Sequence, residues 1–315
     1  MCGIAGVWNR DGLAVDSGQI AAMNRTLVHR GPDGEGIWTD GEIGLGHRRL
    51  EILDLGPGGH QPMSTPDEDL WIVFNGEIHN FVELRRELEA DVTFRSTCDT
   101  EVLLQAYRRW GLDCFARFNG MWAVAIWDRR ARRLVLSRDH FGIKPLYYSL
   151  RGSRVAFASE AKAILEAYPE ERRVDRDQVV WFLSGCSPDS GEETFFDNVH
   201  QVAQAGYLVI ERSGSPQRGT YWQVEPWRSI GEHEAEETLR HLLDDAVRLR
   251  LRSDVPVGAC LSGGIDSSAI VRLAGPQLEE PMHCFTMRHP EPGYDETEFA
   301  ARVTAGSERY HHHWI

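Results

Sequence analysis

Along roughly the first two hundred residues, apolar and polar positions alternate in short runs. Gly3–Trp8, Gly44–His47, Trp71–Asn75, Met121–Trp127, Arg133–Ser137, Leu146–Ser149 and Val155–Ala158 read as strands bounded by Gly, Asp and Pro turns. A few helices interrupt them. Asp16 with Gln19 has the spacing of a capping box ahead of a helix through Met23 and Leu27. Asp99 is placed to cap a second helix, on which Val102, Leu103, Ala106, Tyr107 and Trp110 share one face. Strands with few helices between them predict a layered α+β domain, largely antiparallel, over residues 1–212.

The turn Ser213-Gly214-Ser215-Pro216 opens a predicted linker, 213–231, after which the period changes. From Glu232 to Leu251 the residues Ala235, Leu239, Leu242, Leu243, Ala246 and Leu249 trace a helical stripe, with acidic residues early and arginines late as the helix dipole favours. A strand at Val257–Leu261, a glycine loop, a helix at Ser267–Leu278, a strand at Met282–Met287 and a helix from about Glu296 follow. That alternation predicts the beginning of a parallel α/β domain over 232–315. So few strands cannot bury both faces of a parallel sheet, so this domain is expected to be incomplete at Ile315.

Charge narrows the partners. The 34 Lys and Arg stand against 48 Asp and Glu, a net charge of −14, which repels phosphate backbones and anionic lipid. Nucleic acid and membrane are therefore excluded as expected partners, while a local pocket for a small anion is not. No apolar run approaches the roughly 20 residues that span a bilayer, and Asn9, Arg10 and Asp11 interrupt any signal segment. Cys2, Cys98, Cys114, Cys186, Cys260 and Cys284 are scattered without a CxxC pair, the usage of reduced thiols in the cytoplasm.

Two places carry chemistry. Cys2 directly follows Met1, so removal of Met1 leaves a thiol and a free α-amine on one residue, a nucleophile with its own base. An α-amine ordinarily titrates at about 7.7–8.0, so part of it is unprotonated near neutrality. The competing reading is a small residue at the start of a strand. Further on, Ser262-Gly263-Gly264-Ile265-Asp266-Ser267-Ser268 joins an apolar strand to a helix N-terminus, where glycine amides, hydroxyls and the dipole suit an anion. No Lys follows the glycines as a Walker A loop requires. A serine-rich helix cap would explain SGG but would not need Asp266, placed to hold a magnesium ion bridging phosphates.

Together these halves resemble glutamine-dependent asparagine synthetases, over nearly the whole chain. The resemblance rests on Met1-Cys2-Gly3-Ile4, His29-Arg30-Gly31-Pro32-Asp33, His47-Arg48-Arg49-Leu50, Phe74-Asn75-Gly76-Glu77-Ile78, Asp99-Thr100-Glu101-Val102, the run Arg138–Tyr148 and Ala158-Ser159-Glu160-Ala161-Lys162. Ser253-Asp254-Val255-Pro256, the SGGxDSS loop (which by itself resembles that of ATP pyrophosphatases), Tyr294-Asp295-Glu296 and the late histidines extend it. It implies an N-terminal nucleophile hydrolase fold, a mostly antiparallel αββα sandwich, followed by the start of a parallel ATP-pyrophosphatase domain.

By the same resemblance Cys2 attacks the side-chain amide of glutamine, and Asn75 and Gly76 hold the oxyanion. Arg49 would take the α-carboxylate, Asp99 with Glu77 the α-ammonium, and Leu50, Ile52 and Leu53 form a wall. Released ammonia would aminate aspartate activated by ATP and Mg2+, giving asparagine, AMP and pyrophosphate. Ser262, Gly263, Gly264, Asp266, Ser267 and Ser268 would receive the pyrophosphate, with Leu261 and Met287 flanking the base. Taken singly, Asn75-Gly76 reads as a hairpin turn, Arg49 as a surface cation and Asp99 as a helix cap. His311-His312-His313 point in different directions and are read as a strand-edge feature rather than a metal site.

Cys98 stands where this family usually has Ser or Thr, Ala203-Gln204-Ala205-Gly206 replaces the usual Pro-Gly approach, and the sequence ends before the family's later ATP and aspartate motifs. The expectation is therefore glutaminase activity without asparagine synthesis in these 315 residues. An amidotransferase acting on a natural-product carboxylate, or an ammonia-supplying or regulatory subunit, stand as alternatives. Relatives are often homodimers, so a homodimer is possible.

Overall fold

Strand β1 (Gly3–Asn9) is apolar at nearly every position because both of its faces are covered. Ile4 and Trp8 point into one hydrophobic cluster, Ala5 and Val7 into another. The computed structural model describes residues 1–186, 191–225, 231–291 and 293–315. They divide into two units, Met1–Val224 and Glu225–Ile315.

The first unit continues with α1 (Ser17–Thr26), β2 (Gly34–Asp40), β3 (Ile43–Arg49), β4 (Met63–Ser64), β5 (Leu70–Ile78), α2 (Phe81–Leu88) and α3 (Asp99–Trp110). It then runs through β6 (Gly120–Asp128), β7 (Arg133–Arg138), β8 (Tyr147–Arg151), β9 (Arg154–Ala158), α4 (Ala161–Ala167), α5 (Arg176–Leu183), β10 (His200–Gln201), β11 (Gly206–Glu211) and β12 (Gln217–Thr220). These strands form two six-stranded antiparallel sheets, ordered β10-β8-β9-β1-β3-β2 and β12-β11-β7-β6-β5-β4. One cluster, including Ile4, Trp8, Val73, Ala123 and Phe157, fills the space between the sheets. A second seats α1 and α4 on the first sheet through Ile20, Met23 and Ile164, and a third seats α2 and α3 on the other sheet through Leu84, Val102 and Phe115. The unit is thus an αββα sandwich, as the sequence led one to expect.

Local differences have local causes. Asp16 caps α1 through the Gly18 N–H at 2.9 Å, but the Gln19 amide donates to Ala167 O instead of closing a capping box. Cys98, not Asp99, is the cap residue of α3; Asp99 is its first helical residue, and its carboxylate reaches across to β5. Asn75-Gly76 is no hairpin turn: it lies inside β5, opposite Ala123 and Trp122. Residues 217–221, expected in a linker, belong to the first unit, since β12 pairs with β11 and Tyr221 packs on the α3 side of the sandwich.

The second unit holds α6 (Glu232–Arg250), β13 (Gly258–Cys260), α7 (Ile265–Ala274), β14 (Met282–Thr286), α8 (Thr297–Thr304) and β15 (Tyr310–Trp314). Its three strands are parallel, in the order β13-β14-β15. Of the expected apolar stripe of α6 only Leu249 is buried, while Leu239, Leu242 and Leu243 are exposed; Val247, outside that stripe, is the α6 residue buried in the second unit's core. The three histidines lie on the edge strand β15 with His312 between the Thr286 and Thr304 hydroxyls. Among the described residues no cluster of His, Cys, Asp or Glu suits a metal ion, all six cysteines are free, and no helix is long and apolar enough to cross a membrane.

The close approach of β1 and β9 depends on Gly6, where an added Cβ would sit 2.3 Å from the Phe157 ring. Gly6→Ala is therefore expected to cost about 1–3 kcal/mol through overpacking. An unchanged urea-unfolding midpoint would contradict that packing.

Candidate active site

The site forms along an edge of β5 that no strand covers. Short β4 pairs only with Trp71 and Ile72, so from Phe74 onward the backbone groups facing away from β6 need other partners. In an antiparallel ladder these outward groups belong to alternate residues. Phe74 N–H donates to Gln61 Oε1 at 2.6 Å, and its carbonyl accepts from His47 Nε2 at 3.2 Å. Ile78 N–H donates to Asp99 Oδ2 at 2.9 Å. Gly76 lies between them in the same parity. Opposite it, Trp122 turns its own N–H and C=O to Asp139 rather than to β5, which makes Gly76 and Trp122 a non-hydrogen-bonded pair. The Gly76 N–H therefore points out of the open edge. An added Cβ here would lie 2.1 Å from Met121 O, so the position also requires glycine.

Asn75 is buried, and its side-chain Nδ2 has no hydrogen-bond partner. Leaving such a donor unpaired costs about 1–3 kcal/mol, and on a residue that lines a cavity it is available to a ligand. The cavity it lines has a volume of about 220 Å³ and is also lined by Cys2, Arg49, Leu50, Ile52, Leu53, Gly76, Glu77 and Asp99. All nine residues expected for glutamine thus share one amino-acid-sized hole.

Cys2 is held at both ends. Its carbonyl accepts from Arg30 Nε at 3.0 Å, while Leu50 N–H reaches its Sγ at 3.4 Å. Arg30 is fixed in turn by Glu160, which also receives His29 and Lys162. Burial pushes the Cys2 thiol up, against the pull of the Leu50 N–H and the terminal amine. Burial acts the other way on the amine of Met1, lowering it below its usual value with help from Lys144 and Arg30. Both shifts favour the neutral forms, an unprotonated terminal amine and a thiol rather than a thiolate.

Asp99 is buried, and the cost of ionising it there, with Glu77 nearby, raises its pKa to about 6 despite the Ile78 N–H. Cys98 Sγ lies 3.5 Å from its Oδ1. Arg49 is no surface cation: it is buried, with Gly59 close against its guanidinium. His47 is kept neutral by burial, its pKa lowered to about 3. Gln61, Thr100, Met121 and Lys144 also line the cavity, although the sequence reading gave none of them a role there. Lys144 is carried there by the Asp139 turn, whose carboxylate accepts from the backbone of Phe141, Ile143 and Lys144. That turn is the Arg138–Tyr148 run of the sequence. Gln61 had no local signal, because its partners are Phe74 and Thr100.

In the second unit, the loop before α7 has Gly263 at φ +86° and ends in an N-cap, Gly264, without a side-chain cap. Ser262 Oγ and Ser267 Oγ lie 3.0 Å apart at its mouth, and Asp266 is exposed in the first turn of α7. An uncapped helix start flanked by hydroxyls fits a phosphate group. Met287 is exposed just past β14, whereas Leu261, expected beside a base, is buried in the core with its backbone bonded to Phe285 and Thr286.

Residues 1–222 match the family model of a glutamine amidotransferase domain, and the chain belongs to that family. Residues 238–315 match the model described as asparagine synthase. Among its relatives, asparagine synthetase [glutamine-hydrolyzing] 1 of Bacillus subtilis is 38% identical over 97% of this chain and 48% of its own length. A putative asparagine synthetase [glutamine-hydrolyzing] 2 of Methanocaldococcus jannaschii is 37% identical over 100% and 64%, and the amidase chyE of Penicillium rubens 32% over 96% and 49%. The chain spans from about half to under two thirds of these relatives. The B. subtilis glutamine phosphoribosylpyrophosphate amidotransferase shares the fold, with TM-score 0.52 and 15% identity over 99% of this chain and 81% of that one.

Gln61→Leu leaves the buried Phe74 N–H unpaired and removes the bond from Gln61 to the Thr100 hydroxyl. It is expected to destabilise the protein by about 1–3 kcal/mol, measured by urea unfolding; equal midpoints would show that Gln61 does not seal the β5 edge.

Proposed function

We propose that the first unit hydrolyses glutamine to glutamate and ammonia. The observation that carries this reading is the unpaired, buried Asn75 amide lining the same cavity as the Cys2 sulfur. Once Met1 is removed, the α-amine of Cys2 takes the thiol proton and Sγ attacks the amide carbon of glutamine. Asn75 Nδ2 and the Gly76 N–H stabilise the oxyanion. The tetrahedral species collapses to a thioester as its nitrogen leaves with that proton as ammonia. Water then cleaves the thioester, releasing glutamate and restoring the thiol. Asp99 and Glu77 receive the α-ammonium, Arg49 the α-carboxylate, and Leu50, Ile52 and Leu53 enclose the methylenes.

For the second unit, the reading is that Ser262, Gly263, Gly264, Ser267 and Ser268 would hold the phosphates of ATP, with Asp266 the residue that would hold Mg2+. Bound ATP supplies the activation of a carboxyl group, which the ammonia then aminates. The asparagine synthetase relatives support aspartate as the acceptor, with asparagine as product. Hydrolysis uses side chains of the first unit alone, which supports glutaminase activity independent of asparagine synthesis in these 315 residues.

Glutamate release measured with and without ATP, Mg2+ and aspartate tests the reading. Wild-type protein is expected to release glutamate in both cases and Cys2→Ala in neither, while Asn75→Ala should lose about 10²–10³ in kcat with little change in KM. Activity surviving Cys2→Ala would refute the mechanism, and ATP-dependent asparagine would refute the glutaminase-only reading.

Asp99 gives a pH dependence of defined sign. It is neutral below about 6 and cannot then pair with an ammonium group. Glutamine binding to Cys2→Ala protein should accordingly weaken as pH falls through about 6, and Asp99→Asn should bind weakly throughout. Calorimetry across pH 5–8 decides; a flat profile for the Asp99-bearing protein excludes this role.

A further inference from the structure

The two terminal nitrogens of Arg49 carry four N–H groups, and all four already have acceptors. Nη1 donates to Gly56 O at 2.8 Å and to Glu51 Oε1 at 3.1 Å. Nη2 donates to Leu53 O at 3.2 Å and to Asp54 O. Three of these acceptors are backbone carbonyls of one tight loop. That loop is pinned where Asp54 adopts φ +54° and its carboxylate accepts from Thr97 N–H and Oγ1, so the carbonyls cannot withdraw singly. The fourth is a side chain. Glu51 is anchored by its backbone N–H to Asp33 Oδ2, yet its side chain is 30% exposed against 5% for Arg49. It can rotate into water without disturbing the loop.

The Nε–H lies beside Nη2, whose two N–H groups are held by the loop. The one terminal N–H that a ligand can open without moving the loop is therefore the Nη1 N–H that Glu51 occupies, giving a single charge-assisted bond rather than a fork.

Building on the glutaminase reading, we propose that Glu51 is a built-in competitor for the α-carboxylate of glutamine, occupying Arg49 until the substrate displaces it. The Glu51 carboxylate has the same charge and acceptor geometry as the substrate group, so glutamine trades one ion pair for another rather than gaining one outright. Removing the competitor strengthens binding through the α-carboxylate and leaves the bond-breaking step alone. A Glu51 that instead oriented Arg49 for the substrate would give the opposite sign.

The test is glutamine affinity by calorimetry in the Cys2→Ala background, with Glu51→Gln and Glu51→Ser added, alongside steady-state kinetics of the single Glu51 variants. Dissociation constants and KM should fall roughly two- to fivefold, the scale of a part-exposed ion pair, with kcat unchanged. Binding of 4-aminobutanamide, which lacks the α-carboxylate, should not respond. Unchanged or weaker glutamine binding in both variants overturns the competitor role. An equal gain for 4-aminobutanamide does so too. If Cys2→Ala protein binds no glutamine and wild type releases no glutamate, the glutaminase reading itself fails, whereas loss of the Glu51 effect alone leaves it standing.

Discussion

The site rests on one interruption of regular pairing. β5 is hydrogen-bonded along its length to β6, but β4 covers only its first residues, so the outward amides of Phe74, Gly76 and Ile78 have no strand to meet. Buried backbone groups do not go unpaired cheaply, and here Gln61, His47 and Asp99 satisfy those on either side of Gly76. What is left open is the Gly76 N–H with the Asn75 amide beside it, the two donors proposed to hold the oxyanion. The same arrangement brings Asp99 to the cavity, since the carboxylate that seals Ile78 also faces the space where an ammonium would lie.

The cavity is completed from the other sheet by the N-terminus. β1 runs through the middle of its own sheet with both faces covered, so the residue just ahead of it cannot drift, and Arg30 fixes the carbonyl of that residue. Two sheets, each rigid for ordinary packing reasons, thus set a sulfur opposite a pair of donors. Catalytic groups placed by rigid elements need no reorganisation when charge develops.

How much of this was legible in the sequence depended on the range of the interaction. Strand runs and the faces of α3 follow from local periodicity, and both emerged at nearly the expected positions. Asn75-Gly76 was ambiguous, because the dipeptide is a turn signal and only pairing with Ala123 and Trp122 places it in a strand. Asp99 looked like a cap from its neighbours and proved to be the partner of an amide 21 positions away. Gln61 was silent for the same reason, Lys144 lay within the Arg138–Tyr148 motif without a role, and Glu51 gained meaning only through the loop folded around Arg49. The stripe on α6 misled in the other direction: helical period fixes a shared face, not that the face is covered, and much of it is exposed. Joint motifs worked better, since no single bland reading accounts for all of them at once.

The attachment of Cys2 by its carbonyl and sulfur has a practical corollary for anyone producing the protein. On the proposed mechanism the base is the α-amine of Cys2. An amide nitrogen is not a base, so any residue that persists ahead of Cys2, whether an untrimmed methionine or an affinity peptide, would silence that amine while leaving the fold intact. Preparations differing only in how completely that first residue was trimmed would then look identical on a gel and in a melting curve, yet differ in specific activity in proportion to trimming.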